Sequence, residues 1–129
     1  MNNMKMMNVF LVATALFFGM ASASAQTKTA KEKATNNATI LTKALGLTSD
    51  QAEKVKELYF TVASKNEVIR NDKNMSAKLK EESLYGNNFT RMSYMKDILN
   101  ETQMKKLSQI EEAKKKGKPL AGTEKLEDL

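Results

Sequence analysis

Leu47-Thr48-Ser49-Asp50-Gln51 decides the reading of this chain, because it is a complete helix start written in five residues. A Thr at the N-cap accepts from the backbone N–H three residues on, and a Gln at that third position reaches back to the cap's own N–H. One pair of side chains thereby satisfies two of the orphan donors that every helix N-terminus carries. Asp50 adds negative charge to the first turn, where the helix dipole favours it. Leu47 sits where a hydrophobic staple would meet Ala52. Val55, Leu58, Tyr59, Val62 and Ile69 follow at helical spacing and carry the helix to residue 69.

The same pattern recurs at Leu99-Asn100-Glu101-Thr102-Gln103, with Asn in place of Thr, and Asn caps a helix as well as Thr does. Met104, Leu107 and Ile110 supply its apolar stripe, and Gly117 and Pro119 stop it near Lys116. Leu47 matches Leu99, Gln51 matches Gln103, Val55 matches Leu107 and Leu58 matches Ile110, which predicts two related helical halves. Ahead of the first start, Ile40, Leu41, Ala44 and Leu45 predict a short helix capped by Gly46. Ahead of the second, Leu79, Leu84, Tyr85, Phe89, Met92, Met95, Ile98 and Leu99 predict a helix from about Ser76 to Leu99. Its spacing is regular from Tyr85 onward, whereas Gly86-Asn87-Asn88 reads as a kink, a break or a change of face. The expected fold class is all-α, with four helices arranged as helical hairpins.

Outside this core the sequence changes character. Lys5 in a polar head, an apolar run from Val9 to Met20, and the small-residue end Ala21-Ser22-Ala23-Ser24-Ala25 have the layout of a secretory signal peptide. Ala23 and Ala25 meet the small-residue requirement for cleavage before Gln26, and the apolar run is shorter than the roughly 20 residues a membrane span needs. The expected organisation is a signal peptide at 1–25, a polar and frayed N-terminal arm at 26–38, a helical domain at 39–116 and a flexible tail at 117–129. No stable membrane insertion is expected after cleavage.

Composition excludes more than it names. The chain has 129 residues, no Cys, no His, no Trp and a single Pro. It therefore has no disulfide framework, no thiolate or imidazole metal site, and no Ser/His/Asp or Cys/His triad. No catalytic residue, cofactor or metal ligand is assigned, and the protein is not expected to be an enzyme. The net charge is +6, and the apolar leader holds three of the five Phe, so the exported domain has a thin core and gains from dimerisation. Glu53, Glu57, Glu81 and Glu82 alternate with lysines and read as solvated helix faces. Lys114-Lys115-Lys116 falls in a last helical turn, where it complements the dipole, so nucleic acid is not expected as a partner.

Two Leu-Thr-x-x-Gln motifs behind a signal peptide resemble the Spy/CpxP family of bacterial periplasmic proteins, the second motif carrying Asn100 for Thr. The resemblance spans roughly residues 40 to 115. It implies a cradle-shaped homodimer in the periplasm that holds unfolded or partly folded proteins without ATP, as an envelope-stress chaperone. In that setting Leu47, Thr48, Gln51, Leu99, Asn100 and Gln103 are helix-capping motif residues. Arg70, Arg91, Met92 and Met95 are the expected client contacts, the first two as the only arginines and the last two as adaptable apolar groups. The alternative is a periplasmic regulator or sensor that binds one specific protein.

Overall fold

The computed structural model describes residues 24–129, and side chains from residue 30 onward. The leader and the cleavage position at Ala23 lie outside the described backbone, and the side chains of Ala25 and Gln26 lie outside the described ones. Four helices follow one another: α1 Ser24–Leu45, α2 Ser49–Arg70, α3 Ala77–Ile98 and α4 Glu101–Lys115. Among the described residues there is no strand, and no helix is long and apolar enough to cross a membrane.

Where a frayed arm is expected at 26–38, α1 begins at Ser24. Its buried face is a stripe of Ala30, Ala34, Asn37, Ala38, Leu41 and Leu45 at helical spacing. The first half of that stripe is alanine, and short side chains let the α1 backbone lie close against α2 without a large apolar residue to advertise the face. Gly46 then ends the helix at φ +66°, with the Leu47 N–H donating to Thr42 O at 3.0 Å in the left-handed arrangement glycine accommodates.

α2 is buried on more than one side, because it packs against α1 and against α3. Its buried set includes Val55, Leu58, Tyr59 and Val62, with Thr61, Ser64 and Asn66 on the flanks. Leu41, Leu45, Met95, Leu99, Leu107 and Ile110 complete the core from the other helices. Each of the larger apolar side chains gains about 1.5–3 kcal/mol from burial.

The Gly86-Asn87-Asn88 insert does not break α3, which is continuous from Ala77 to Ile98 with Ser76 as its N-cap. Of the two asparagines, one reaches the neighbouring helix and the other holds a side chain of α3 itself. Asn87 Nδ2 donates to Asn66 Oδ1 of α2 at 2.9 Å, and Asn88 Oδ1 accepts from Arg91 at 2.7 Å.

The stretch 117–129, expected to be flexible, is held against the helices without being helical itself. Gly117 at φ +77° closes α4 with a Schellman pair, Lys118 N to Ala113 O and Gly117 N to Lys114 O, both 3.0 Å. The chain then turns at Gly122, buries Thr123, and packs Leu126 and Leu129 against the core.

Candidate binding surface

Both predicted capping boxes form. Thr48 Oγ1 accepts from the Gln51 N–H at 3.1 Å while Gln51 Oε1 accepts from the Thr48 N–H at 3.0 Å. Asn100 Oδ1 and Gln103 repeat the pair at 2.8 and 3.0 Å. The two motifs also meet, which their spacing does not disclose. The Gln51 Nε2 donates to Gln103 Oε1 at 2.8 Å, and the Gln103 Nε2 lies 3.2 Å from Gln51 Oε1. Each amide then reaches the C-terminus of a helix in the other half: Gln51 donates to Ile98 O of α3 at 3.1 Å, and Gln103 approaches Leu45 O and Gly46 O of α1 at 3.5 Å. Four helix ends are tied at one point, with Leu47 and Leu99 packed beside it.

A second node explains why Arg91, one of the expected client contacts, is not on the surface. Arg91 is only 6% exposed. Its guanidinium donates to Tyr59 Oη at 2.9 Å, pairs with Glu111 Oε1 at 2.7 Å, and stands 5.2 Å from the centroid of the Tyr59 ring. Burial pushes the Tyr59 hydroxyl up to about 12, against the pull of the Arg91 charge. Arg91 is thus a structural tie among α2, α3 and α4, and Glu111 pairs across to it instead of with Lys115 on its own helix. Met95 is fully buried in the core, and Met92 is half-buried against it. Arg91 and Met95 are both buried in this fold, not presented on its surface. Arg70 is exposed, but it is already engaged, with Glu67 at 3.7 Å and with the Leu129 carbonyl.

The exposed apolar surface lies elsewhere on α3. Tyr85 is 72% exposed, Phe89 67% and Leu79 48%. Tyr85 and Phe89 are four residues apart and so stand one above the other on one face. They were expected to continue the stripe that buries Met95 and Leu99. They do not: at 3.6 residues per turn Tyr85 and Phe89 point about 120° and about 160° away from Arg91, so they stand off the face of α3 that buries Arg91 and Met95. Regular spacing predicts a face; which face is covered is shown by the ties of Arg91 to Tyr59 of α2 and Glu111 of α4.

Asn36 and Asn37, in the stretch expected to be a polar arm, bind the backbone of the tail. Asn36 donates to Lys125 O at 3.0 Å, and Asn37 both donates to Glu127 O at 2.8 Å and accepts from the Glu127 N–H at 2.9 Å. Lys114 pairs with Asp128 at 2.7 Å, and its hydrogen bond and charge, with Arg70 and Lys33 nearby, hold the Asp128 carboxyl below its usual range. The sequence signal for this was slight: two adjacent asparagines on a helix of alanines and lysines.

The chain matches no family model, no curated protein and no solved structure. Among the described residues, no group of three or more Asp or Glu is placed to hold a metal ion.

Proposed function

We propose that this protein is an exported, ATP-independent holdase of the cell envelope, which captures unfolding proteins on the exposed face of α3 and works in the periplasm as a homodimer. The observation that carries this reading is the exposure of Tyr85 and Phe89, with Leu79, on a single helix of a chain with net charge +6. Large aromatic side chains left in water are a binding surface in waiting, and the net positive charge speeds the approach of acidic clients. The leader-like N-terminus and the paired motifs, which resemble those of the Spy/CpxP family, support the same assignment. No bound nucleotide and no catalytic step enters the mechanism: encounter is electrostatic, retention is apolar, and release follows when the client buries its own apolar surface.

Light scattering of several unrelated aggregating clients tests it. The protein should delay aggregation at stoichiometric amounts, and Tyr85→Ser with Phe89→Ser should abolish the delay while leaving thermal unfolding nearly unchanged, because both side chains are exposed. Capture of acidic clients should slow as salt rises, since encounter is screened and apolar retention is not.

A second reading, a regulator with one protein partner, is favoured by the small extent of the exposed apolar stripe on α3, which suits one defined contact. Protection of no client, together with recovery of one tight partner that the double variant loses, would establish the regulator in place of the holdase.

A further inference from the structure

The tail is held in a manner that differs from ordinary packing of a chain end. Asn37, which is buried, closes a ring of two hydrogen bonds on the N–H and C=O of Glu127, and Asn36 takes the C=O of Lys125 two residues earlier. The two asparagines of α1 thus hold main-chain groups of Lys125 and Glu127, where the chain leaves the turn closed by the Leu126 N–H on Thr123 O. Backbone reading is indifferent to sequence, so specificity must come from the side chains between and beyond. Leu126 and Leu129 pack against the core, while Asp128, its side chain 90% exposed, pairs with Lys114 at a basic corner to which Arg70 and Lys33 of two other helices add their charge.

These contacts define a recognition site independently of what fills it: an amide pair for backbone, two apolar positions three residues apart, and a cationic corner for an acidic side chain. The occupant is lightly fastened. Its polar anchors are the three asparagine bonds to backbone, the exposed Lys114–Asp128 pair and the Arg70 contact. Gly117 and Gly122, both at positive φ, join it to α4 by a linker with two turn positions.

We propose that the surface formed by α1 and the C-terminal ends of α2 and α4 is a binding site for an acidic peptide segment of the pattern Leu-x-Asp-Leu on another protein, and that residues 125–129 occupy it in cis as a displaceable intramolecular ligand. A tethered ligand acts at an effective concentration on the order of millimolar, so a partner must bind better than the tail or act after it is released. The inference stands apart from the holdase reading, because it concerns a different surface and one defined peptide chemistry.

The test uses the full chain with Leu126→Ser and Asp128→Lys, which free the tail, and a fluorescent peptide with the sequence of residues 120–129, followed by anisotropy. The freed chain should bind the peptide at least about tenfold more tightly than the unaltered chain. Adding Asn37→Ala to the freed chain should weaken binding by about tenfold or more with helical circular dichroism retained, and about 0.5 M salt should weaken it severalfold. A freed chain that is helical but binds no peptide, or binds equally well with and without Asn37→Ala, overturns the proposal. So does concentration-dependent dimerisation by tail exchange in light scattering, which would assign the surface to a second copy. Should the freed chain not fold, the unaltered chain decides: excess peptide with Lys125→Gln should accelerate hydrogen exchange of the Glu127 N–H, and unchanged exchange overturns the proposal.

Discussion

Replacing Arg91 by Met removes the charge at the centre of the fold and keeps most of the stem's volume. In the folded chain that guanidinium is almost wholly buried and serves Tyr59, Asn88 and Glu111 together. Breaking a buried ion pair from one side costs about 3–5 kcal/mol, because the abandoned charge must be rehydrated where it stands. Glu111 is one-third exposed at its side chain and recovers part of its hydration, which places the loss toward the lower end. The Tyr59 hydroxyl, buried and without its acceptor-seeking neighbour, adds to it. The expected loss is about 3 kcal/mol, a large part of the 5–15 kcal/mol by which small domains are stable. In urea, with a slope of about 1.5 kcal/mol per molar, the midpoint of the helical signal should fall by about 2 M. Adding Glu111→Leu to Arg91→Met should restore a substantial part of that loss, since an apolar replacement of both partners leaves no stranded charge. A midpoint shift under about 0.5 M for Arg91→Met would refute the reasoning. If such a variant also lost client protection, Arg91 would be a contact residue after all.

Three further outcomes follow from the same structure. Gln51→Ala and Gln103→Ala should each destabilise by about 1–2 kcal/mol, and the double variant by clearly less than their sum, because either change already breaks the shared amide contact; additivity in urea melts would show that the two motifs act separately. Tyr59→Phe should flatten the alkaline loss of stability: the folded hydroxyl is raised to about 12 from 10.0, so its contribution is intact below pH 10 and lost as pH climbs from 10 through about 12, a decline the Phe variant lacks when urea midpoints are compared across that range. Gly86→Ala should raise stability by about 0.5–1 kcal/mol in thermal melts, since the position is mid-helix and an added Cβ meets nothing within 4 Å.

Local chemistry was legible in the sequence and its three-dimensional use was not. Thr48 with Gln51, Asn100 with Gln103, and Gly46 carry their instructions within a few residues, so caps and helix boundaries there follow from the text alone. α1 was underread because its buried face is built from Ala30, Ala34 and Ala38, whose small size is the reason they pack and also the reason they give little apolar signal. Arg91 and Met95 read as surface groups when residue type is weighed without the neighbours that cover them; α4 covers Arg91 through Glu111, whereas Tyr85 and Phe89 stand on another face of α3. The tail was read as loose because it lacks periodicity, yet Asn36 and Asn37 hold it through its backbone, which no side-chain pattern in the tail encodes.

The crossed amides of Gln51 and Gln103 bear on how the chain folds. Each half of the molecule, α1 with α2 and α3 with α4, leaves carbonyls at the end of its first helix, and those carbonyls are taken up by a glutamine that belongs to the other half. Neither half is therefore complete alone. A chain that has formed only α1 and α2 still has the Leu45 and Gly46 carbonyls waiting, and one that has formed only α3 and α4 still has Ile98. The halves are expected to gain order together in one transition, and a nick in the 71–76 connection should leave two fragments that are poorly helical apart and helical when mixed.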